Sequence, residues 1–507
     1  MKNIGRLFRT VVHLKPVQIF YQVRRRIWKP KYVHRAAPDA VSPHRWIVEP
    51  IPRVTCLDRD VFCFLNLSKR FSSWCDVSDG MLWAYNLNYF DWLNQKAVSE
   101  EECVSWVDRF IDGLDGNGIG LDAYPTSLRI ENWIKFFCRC PEQLTKRRCD
   151  CLFSQYRHLQ QSIEYHLLGN HLLENLCSLY IASLFFNDFR YHGLILKKLL
   201  KELGEEILAD GGHFEQSPMY HCIVLDRLLD CINAGKSSAW CYDGEVEQLV
   251  IAVSPMLGWL SAMCYADGTY PLFNDAADGI APSPAEIFGY AERLCIAWEK
   301  AELGESGYVH LSNGKYEAFA DRGNIAAAYQ PGHTHSDVFS YELRIDGQPF
   351  VIDTGISTYN KTGRRQYERS SFAHNSVTID GQGPYEVWGG FRVGARGTVH
   401  GDVCRFPSGA VHRRDFSLKD DCFIVEDSVS DGTAVSRIHL SPEVSLLEVD
   451  KLDSGAAVVL TTAGKIIISG AFDVTVKPCL VSHEYNRFQE SNCIEITFEH
   501  NVKYSII

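Results

Sequence analysis

Pro331 to Asp353 reads PGHTHSDVFSYELRIDGQPFVID, with His333 and His335 just ahead of an alternating run. Phe339, Tyr341, Leu343 and Ile345 alternate with Ser340, Glu342 and Arg344, the period of a half-buried strand. Asp346-Gly347 turns the chain, and Phe350 to Ile352 brings it back to Asp353. His374 opens a further strand start at His374-Asn375-Ser376-Val377. Two imidazoles and a carboxylate on neighbouring sheet positions can bind one divalent metal. On spacing alone that metal is a zinc able to activate water. His333 beside it is placed to move a proton.

Three further constellations carry polar chemistry. Asn170, His171 and Glu174 fall at helical spacings of three and four, so they can share one face. That set suits a groove, or else a hydrogen-bond network between helices. Glu215-Gln216-Ser217-Pro218-Met219-Tyr220-His221 puts Tyr220 in the first turn of a helix capped by Ser217. There the positive dipole end favours a tyrosinate, unless Tyr220 is a packed aromatic. Asp122 to Trp133 mixes Tyr124, Arg129, Asn132 and Trp133, downstream of Trp83, Asn86, Tyr89 and Phe90. Aromatics among Asn and Arg suit stacking on sugar rings and gripping a carboxylate; the alternative is a helical core around a buried Arg. Arg369 and Tyr385 lie in the Gly-rich segment near the histidines and could line the same cleft.

These residues need two kinds of scaffold. From about residue 80 to 300 the pattern is helical; Leu225, Leu228, Leu229 and Ile232 recur at i, i+3, i+4 and i+7. Leu159 to Phe186 reads as another long helix. After about residue 305, short alternating runs are divided by Asn313-Gly314, Asp346-Gly347, Asp380-Gly381, Ser408-Gly409 and Asp431-Gly432, which indicates an antiparallel sandwich. The expected division is a mostly helical segment over 1–80, a helical domain over 81–304 and a β-domain over 305–507.

At 507 residues with 46% hydrophobic and 22% charged content, the chain is a globular protein of more than one core. A net charge of −12 argues against nonspecific nucleic-acid binding. The 18 cysteines are scattered; Cys138, Cys140, Cys149 and Cys151 lack the usual zinc-knot spacing, so reduced thiols are expected. Arg9, His13, Lys15 and Arg24 to Arg26 interrupt the opening segment, which therefore lacks the apolar stretch of a signal peptide. No apolar run is long enough to span a membrane. A cytoplasmic location is expected, with the cell envelope as the alternative. The basic, aromatic opening could contact an anionic membrane surface, or pack as an ordinary helix.

Taken in order, WxxNLxYFDWL (Trp83 to Leu93), YPTSLRIENW, NHLLEN, SPMYH, the HTHSD-to-IDTG block and FAHNSV resemble the heparinase II/III-like polysaccharide lyases and their alginate-lyase relatives. The resemblance covers the chain from about Trp83 onward. It implies an (α/α) toroid followed by an antiparallel β-sandwich. It implies β-elimination on an acidic, uronic-acid-containing polysaccharide: Asn170 and His171 at the carboxylate, Tyr220 as acid and in one stereochemistry also base, His333 as second candidate base, and Glu174 in support. It also implies a zinc held by His335, Asp353 and His374 that organises the cleft wall and activates no water. The opening and the WxxNLxYFDWL motif look more like members found with surface-polysaccharide assembly, which turns attention to exopolysaccharide, capsule or O-antigen. Heparin-type sulfates would need basic contacts, for which Arg364, Arg365, Arg369, Arg392 and Arg396 are the candidates.

Two other functions remain open at this point. A metal-dependent hydrolase or sugar-modifying enzyme could use the same cleft. A glycan-binding assembly protein could keep the fold without turnover, although binding alone would not require Asn170, His171, Tyr220 and His333 together.

Overall fold

The structure is a computed structural model. It describes every residue except Met1, Ala40, Ser42, Thr55, Ala326, Asp453 and Ser454, and leaves aside the side chains of Lys2, Asn3, Ile4 and Arg6. The chain opens with helices α1 (Lys2–Val11) and α2 (Pro16–Ile27), then a small antiparallel sheet of β1 (Leu57–Asp58), β2 (Val61–Phe64) and β3 (Leu67–Arg70). The expectation of a mostly helical first segment is therefore corrected. Phe62 and Phe64 alternate inward from β2 and pack against Trp92, Trp106 and Trp83, so aromatic burial favours strand there.

The helical domain runs through α3 (Met81–Tyr89), α4 (Glu100–Gly113), α5 (Ala123–Arg139), α6 (Lys146–Ser162), α7 (Asn170–Phe185), α8 (Phe189–Glu206), α9 (Pro218–Ser237), α10 (Asp243–Ala262) and α11 (Pro284–Arg293). Helices α5, α7 and α9 are buried along nearly their whole length and pack on one another. They form an inner layer, and the polar residues they bury, such as Arg129, Glu174 and Arg227, are each hydrogen-bonded or ion-paired. Helices α6, α8 and α10 pack against them and keep polar faces outward. The result is the expected toroid of helical hairpins. The long helix expected over Leu159–Phe186 is two helices. Leu168 and Gly169 take φ of +64° and +58°, which no right-handed helix can accommodate.

The change to strands falls between Arg293 and Tyr308. A four-stranded antiparallel sheet comprises β4 (Tyr308–Ser312), β5 (Tyr316–Asp321), β6 (Tyr341–Ile345) and β7 (Gln348–Val351). After helix α12 (Gly363–Glu368) come β8 (Val377–Ile379), β9 (Tyr385–Val387), β10 (Val393–Arg396), β11 (Thr398–His400), β12 (Val403–Arg405), β13 (Val411–Leu418), β14 (Phe423–His439), β15 (Leu446–Leu452), β16 (Ala456–Thr461), β17 (Lys465–Ser469), β18 (Asp473–Val481) and β19 (Gln489–Ile506). All of these but β9 and β10, which pair with each other, form one large sheet built around the β14–β19 pair. Tyr316, Leu343 and Phe350 of the small sheet share one core with Phe423, Ile438, Ile494 and Phe498 of the large one, which makes a sandwich. Asp346 and Gly347, at φ +50° and +76°, form the hairpin turn that the sequence signals.

Strand β6 is buried on both faces rather than half-buried. Glu342 points into the helical domain, where its carboxylate accepts from Tyr265 Oη (2.9 Å) and Leu272 N (2.9 Å). That contact seats the sandwich on the toroid. Arg414, fully buried, pairs with Asp427 and donates to the carbonyls of Phe339 and Asn375, bracing the loops that carry the histidines.

Candidate active site

A cavity of about 1090 Å³ lies where toroid, sandwich and the opening helices meet. Asn170, His171, Tyr220 and His333 all line it, so the four residues singled out from sequence for chemistry do converge. Two come from the N-terminus of α7, one from the first turn of α9 and one from the loop before β6.

Asn170 is the first residue of α7. Its Nδ2 donates to both oxygens of Glu215 (3.0 and 2.8 Å), and its backbone N–H also reaches Glu215 (2.8 Å). Gly169 permits this: a Cβ there would sit 2.3 Å from Glu215 Oε1, and its φ is positive. His171 faces the cavity with its ring on Tyr124 (4.6 Å between centroids) and Nδ1 3.3 Å from Glu164 Oε2. Burial opposes its charge, but Glu164, Glu215 and Glu174 outweigh this and raise its pKa above the ordinary value.

Tyr220 lies over the His333 ring, with centroids 3.8 Å apart, and its Oη is 2.9 Å from Tyr359 Oη. Ser217 caps the helix by accepting from Tyr220 N, as expected. The expectation of a stabilised tyrosinate is reversed. Burial, with Tyr485 and Asp275 nearby, drives the Tyr220 pKa well above 10, so the resting phenol holds its proton.

His333 is held from both sides. Its Nδ1 is 2.9 Å from Asp275 Oδ2; its Nε2 is 3.2 Å from Asn170 Nδ2 and 3.3 Å from Glu215 Oε2. Since Asp275 and Glu215 accept and Asn170 donates, an Nδ1–H on Asp275 leaves an Nε2 lone pair facing Asn170. Asp275 also accepts from His335 Nε2 (2.7 Å) and takes Arg365 on both oxygens (2.6 and 2.7 Å). Burial alone would raise its pKa; Arg365, His333 and His335 hold it well below the ordinary carboxylate range. Asp275, Glu215 and Tyr359 were not among the expected site residues. Asp275 lies in FNDAADG, a loop without periodicity, and no local spacing signals its role.

His335, Asp353 and His374 also come together, but in series. His335 Nδ1 faces His374 Nε2 at 3.2 Å, while Asp353 Oδ2 grips the far nitrogen of His374 at 2.6 Å. Two imidazole nitrogens at that spacing suit a tetrahedral ion with bonds of about 2.0–2.1 Å. Asp353 then occupies the place of an outer partner that orients a ligand ring. Asp337 is buried beside them, with one carboxylate oxygen unpartnered among the described residues. Only the two imidazoles face one point; Asp353 stands behind His374, so the three do not form a three-ligand set among the described residues.

The remaining expected site residues divide. Tyr124 lines the cavity; Arg129, Asn132, Trp133, Arg369 and Tyr385 do not. Arg129 is fully buried, donating to the carbonyls of Gly120 (2.6 Å) and Asn88 (3.0 Å). Asn132 donates to Tyr89 O (3.0 Å), and Trp133 packs on Phe90 and Phe110. These three fasten the Trp83–Leu93 segment to α5. Arg369 donates to the carbonyls of Pro331, Thr334 and Trp388, which fixes the loop bearing His333. Tyr385 is buried in β9. The Glu174 carboxylate pairs with Arg227 (3.2 Å), a residue that lines the cavity, and acts on His171 through its charge. Of the arginines considered for sulfates, Arg392 and Arg396 reach the cavity. Arg364 pairs with Glu368 (2.7 Å), and Arg365 is committed to Asp275.

Comparison with known proteins follows the same outline. The profile of the heparinase II/III N-terminus matches residues 131–286, and that described as heparinase II/III-like, C-terminal, matches residues 296–506. A heparin-sulfate lyase of Pedobacter heparinus is 24% identical over 253 residues, covering 44% of this chain and 37% of that protein. A heparin-sulfate lyase of Bacteroides stercoris is 22% identical over 246 residues, covering 43% of this chain and 36% of that protein. The aligned part thus spans little more than a third of either relative's length. Among solved structures, a heparinase III gene product matches with a TM-score of 0.58 at 15% identity, over 86% of this chain and 80% of that one. A crystal structure of heparinase III gives 0.61 at 15% identity, over 84% and 76%. At such identity the likeness concerns the fold.

Asp275→Asn strips Arg365 of its buried counter-charge. The expected loss is about 3–5 kcal/mol of folding stability, read by denaturant unfolding. Unfolding at the wild-type midpoint would show that Asp275 does not hold the seam.

Proposed function

Because this chain belongs to the heparinase II/III-like family, we propose that it is a polysaccharide lyase that cuts an acidic, uronate-containing glycan by β-elimination. One observation carries the reading: an amide, an imidazole with a raised pKa, a protonated phenol and a second, carboxylate-oriented imidazole share one cavity. Those are the parts that elimination requires.

The His171 imidazolium receives the uronate carboxylate, with Asn170 joining it when an amide N–H leaves Glu215, and together they stabilise the enolate that forms when the C5 proton leaves. His333, with Nδ1–H held by Asp275, takes that proton on Nε2. The C4–O bond then breaks, and the Tyr220 phenol gives its proton to the departing oxygen. The electron pair of the C5–H bond becomes the C4–C5 double bond, and no water is consumed. Tyr359, at hydrogen-bond distance from Tyr220, orients the phenol. Of the arginines expected for sulfates, Arg364, Arg365 and Arg369 are committed inside the fold, while Arg392 and Arg396 reach the cavity, where Arg26, Arg53, Arg227 and Lys361 also lie. The proposed substrate is a carboxylated chain such as a bacterial exopolysaccharide, capsule or O-antigen, and the basic lining also suits further anionic groups on it.

We also assign a supporting zinc to His335 and His374, with Asp353 orienting His374. When bound, the ion would stiffen the wall beneath His333. Elemental analysis of protein purified without chelator should find about one zinc per chain, and His335→Ala should lose it. An unchanged zinc content in that variant would remove the assignment.

With a panel of uronate polymers, turnover should appear as ultraviolet absorbance of the new double bond, with product masses showing no added water. Tyr220→Phe and His333→Ala should each lower kcat by about 10²–10⁴-fold. Wild-type rates in both variants, or products heavier by one water, would sink the mechanism.

The pH dependence follows from His171, whose raised pKa keeps its charge above the ordinary 6.5. The charged form is complete at low pH and is lost as pH rises through the raised value. Hence kcat/KM should fall on the alkaline side, and Glu164→Gln should move that fall about one pH unit or more toward acid. An alkaline limb that stays in place in Glu164→Gln would detach it from His171.

A further inference from the structure

The first 38 residues contain ten Lys or Arg and no Asp or Glu, in a chain whose net charge is −12. Their two helices also carry apolar side chains on two sides, some lining the cavity and others, such as Phe8, Phe20 and Ile27, outside it. A helix that packs on a globular body ordinarily buries its apolar stripe. Here the buried residue of α2 is Gln18, whose Nε2 donates to the carbonyls of Leu167 (3.1 Å) and Tyr329 (3.2 Å). Phe20 and Ile27 of α2 are 62% and 82% exposed, and Phe8 of α1 is 69% exposed. Val12 and Trp28 are exposed with them, while Val23 is exposed on the side that lines the cavity. The guanidinium of Arg24 lies 4.4 Å from the Trp28 ring, and Lys29 and Lys31, next in sequence, are exposed. No helix of the described residues is long and apolar enough to cross a membrane.

The pair is nonetheless firmly mounted. Arg9 pairs with Glu386 (2.9 Å), Thr10 Oγ1 donates to Val393 O (3.3 Å), and Lys15 pairs with Glu205. These contacts tie the helices to both the sandwich and the toroid. Leu7, Val11, Ile19 and Val23 line the cavity described above, so the pair forms one wall of the cleft.

We propose that α1 and α2 dock this protein on an anionic membrane surface, with Phe8, Phe20, Ile27 and Trp28 entering the interface and the surrounding Arg and Lys meeting lipid headgroups. Exposed aromatic and aliphatic side chains bordered by basic ones are the composition of an interfacial helix. A soluble polyanion would use the charge but would leave the apolar side chains in water. A second copy would use the apolar side chains but would bring two strongly basic segments together. Docking this way holds the rim of the cleft at the bilayer, where a glycan attached to a lipid would be presented. The docking itself is read without any glycan, so it stands apart from the lyase chemistry.

The test is co-sedimentation of the full chain with vesicles of phosphatidylglycerol and phosphatidylcholine, against phosphatidylcholine alone. Binding is expected to the anionic vesicles, to weaken on raising salt to about 0.5 M, and to be slight on phosphatidylcholine. The double variants Phe20→Glu/Ile27→Glu and Lys29→Glu/Lys31→Glu should each weaken binding roughly tenfold or more, with unfolding midpoints unchanged because these side chains are exposed. Failure of the wild-type chain to sediment with anionic vesicles would overturn the proposal, whatever the variants do. So would equal binding by Phe20→Glu/Ile27→Glu, which would assign the basic segment to soluble polyanions. A wild-type dimer that this variant converts to monomer, with no vesicle binding by either, would assign the apolar patch to self-association.

Discussion

One buried carboxylate holds this site together. Asp275 sits in a loop of the helical domain, yet its partners His333, His335 and Arg365 all belong to the sandwich. Each of these groups would be costly to bury alone, and together they satisfy one another. Asp275 N also donates to His333 O (3.2 Å), and the neighbouring Asn274 Oδ1 accepts from His335 N (2.9 Å). Side-chain charge and main-chain geometry thus fix the two histidines at once. The imidazole proposed to move protons and the imidazole proposed to hold metal are oriented by opposite oxygens of a single residue.

The same environment decides the state of the phenol. A helix N-terminus acts on Tyr220 through partial charges within one turn, whereas burial removes water from the whole ring. Burial wins, and Asp275 and Glu215 add negative potential in the same direction. The phenol is therefore protonated at rest, and the proton it can offer is its own. His171 sits under the opposite balance. Three nearby carboxylates overcome its burial and favour the imidazolium.

Much of the architecture was legible because it rests on periodicity. The leucine spacing of α9, the Gly turns and the alternation of β6 each report local geometry. Asn170, His171, Tyr220 and His333 were legible as polar residues at helix starts or a strand start. What was hidden depended on contacts far apart in sequence. Asp275 meets residues 58 to 90 positions away, and nothing in FNDAADG marks it. Arg129, Asn132, Trp133 and Arg369 show the converse. Arg beside aromatics suits a sugar cleft and a sealed core equally, and only the carbonyls they meet decide between them. The break between Ser162 and Asn170 rests on left-handed backbone at Leu168 and Gly169, which the apolar spacing on either side does not report.

The way the seam is stitched bears on how such proteins can be recombined. Between Arg293 and Tyr308 the chain passes from helices to strands with no element of its own, and it looks like a natural place to splice one domain onto another. A chimera joined there would inherit Asp275 from one parent and its three partners from the other. Unless the donor sandwich matched at His333, His335 and Arg365, the graft would enclose uncompensated charge. The two domains are thus separate units of architecture but a single unit of inheritance, and the residues that enforce this lie on either side of the apparent boundary.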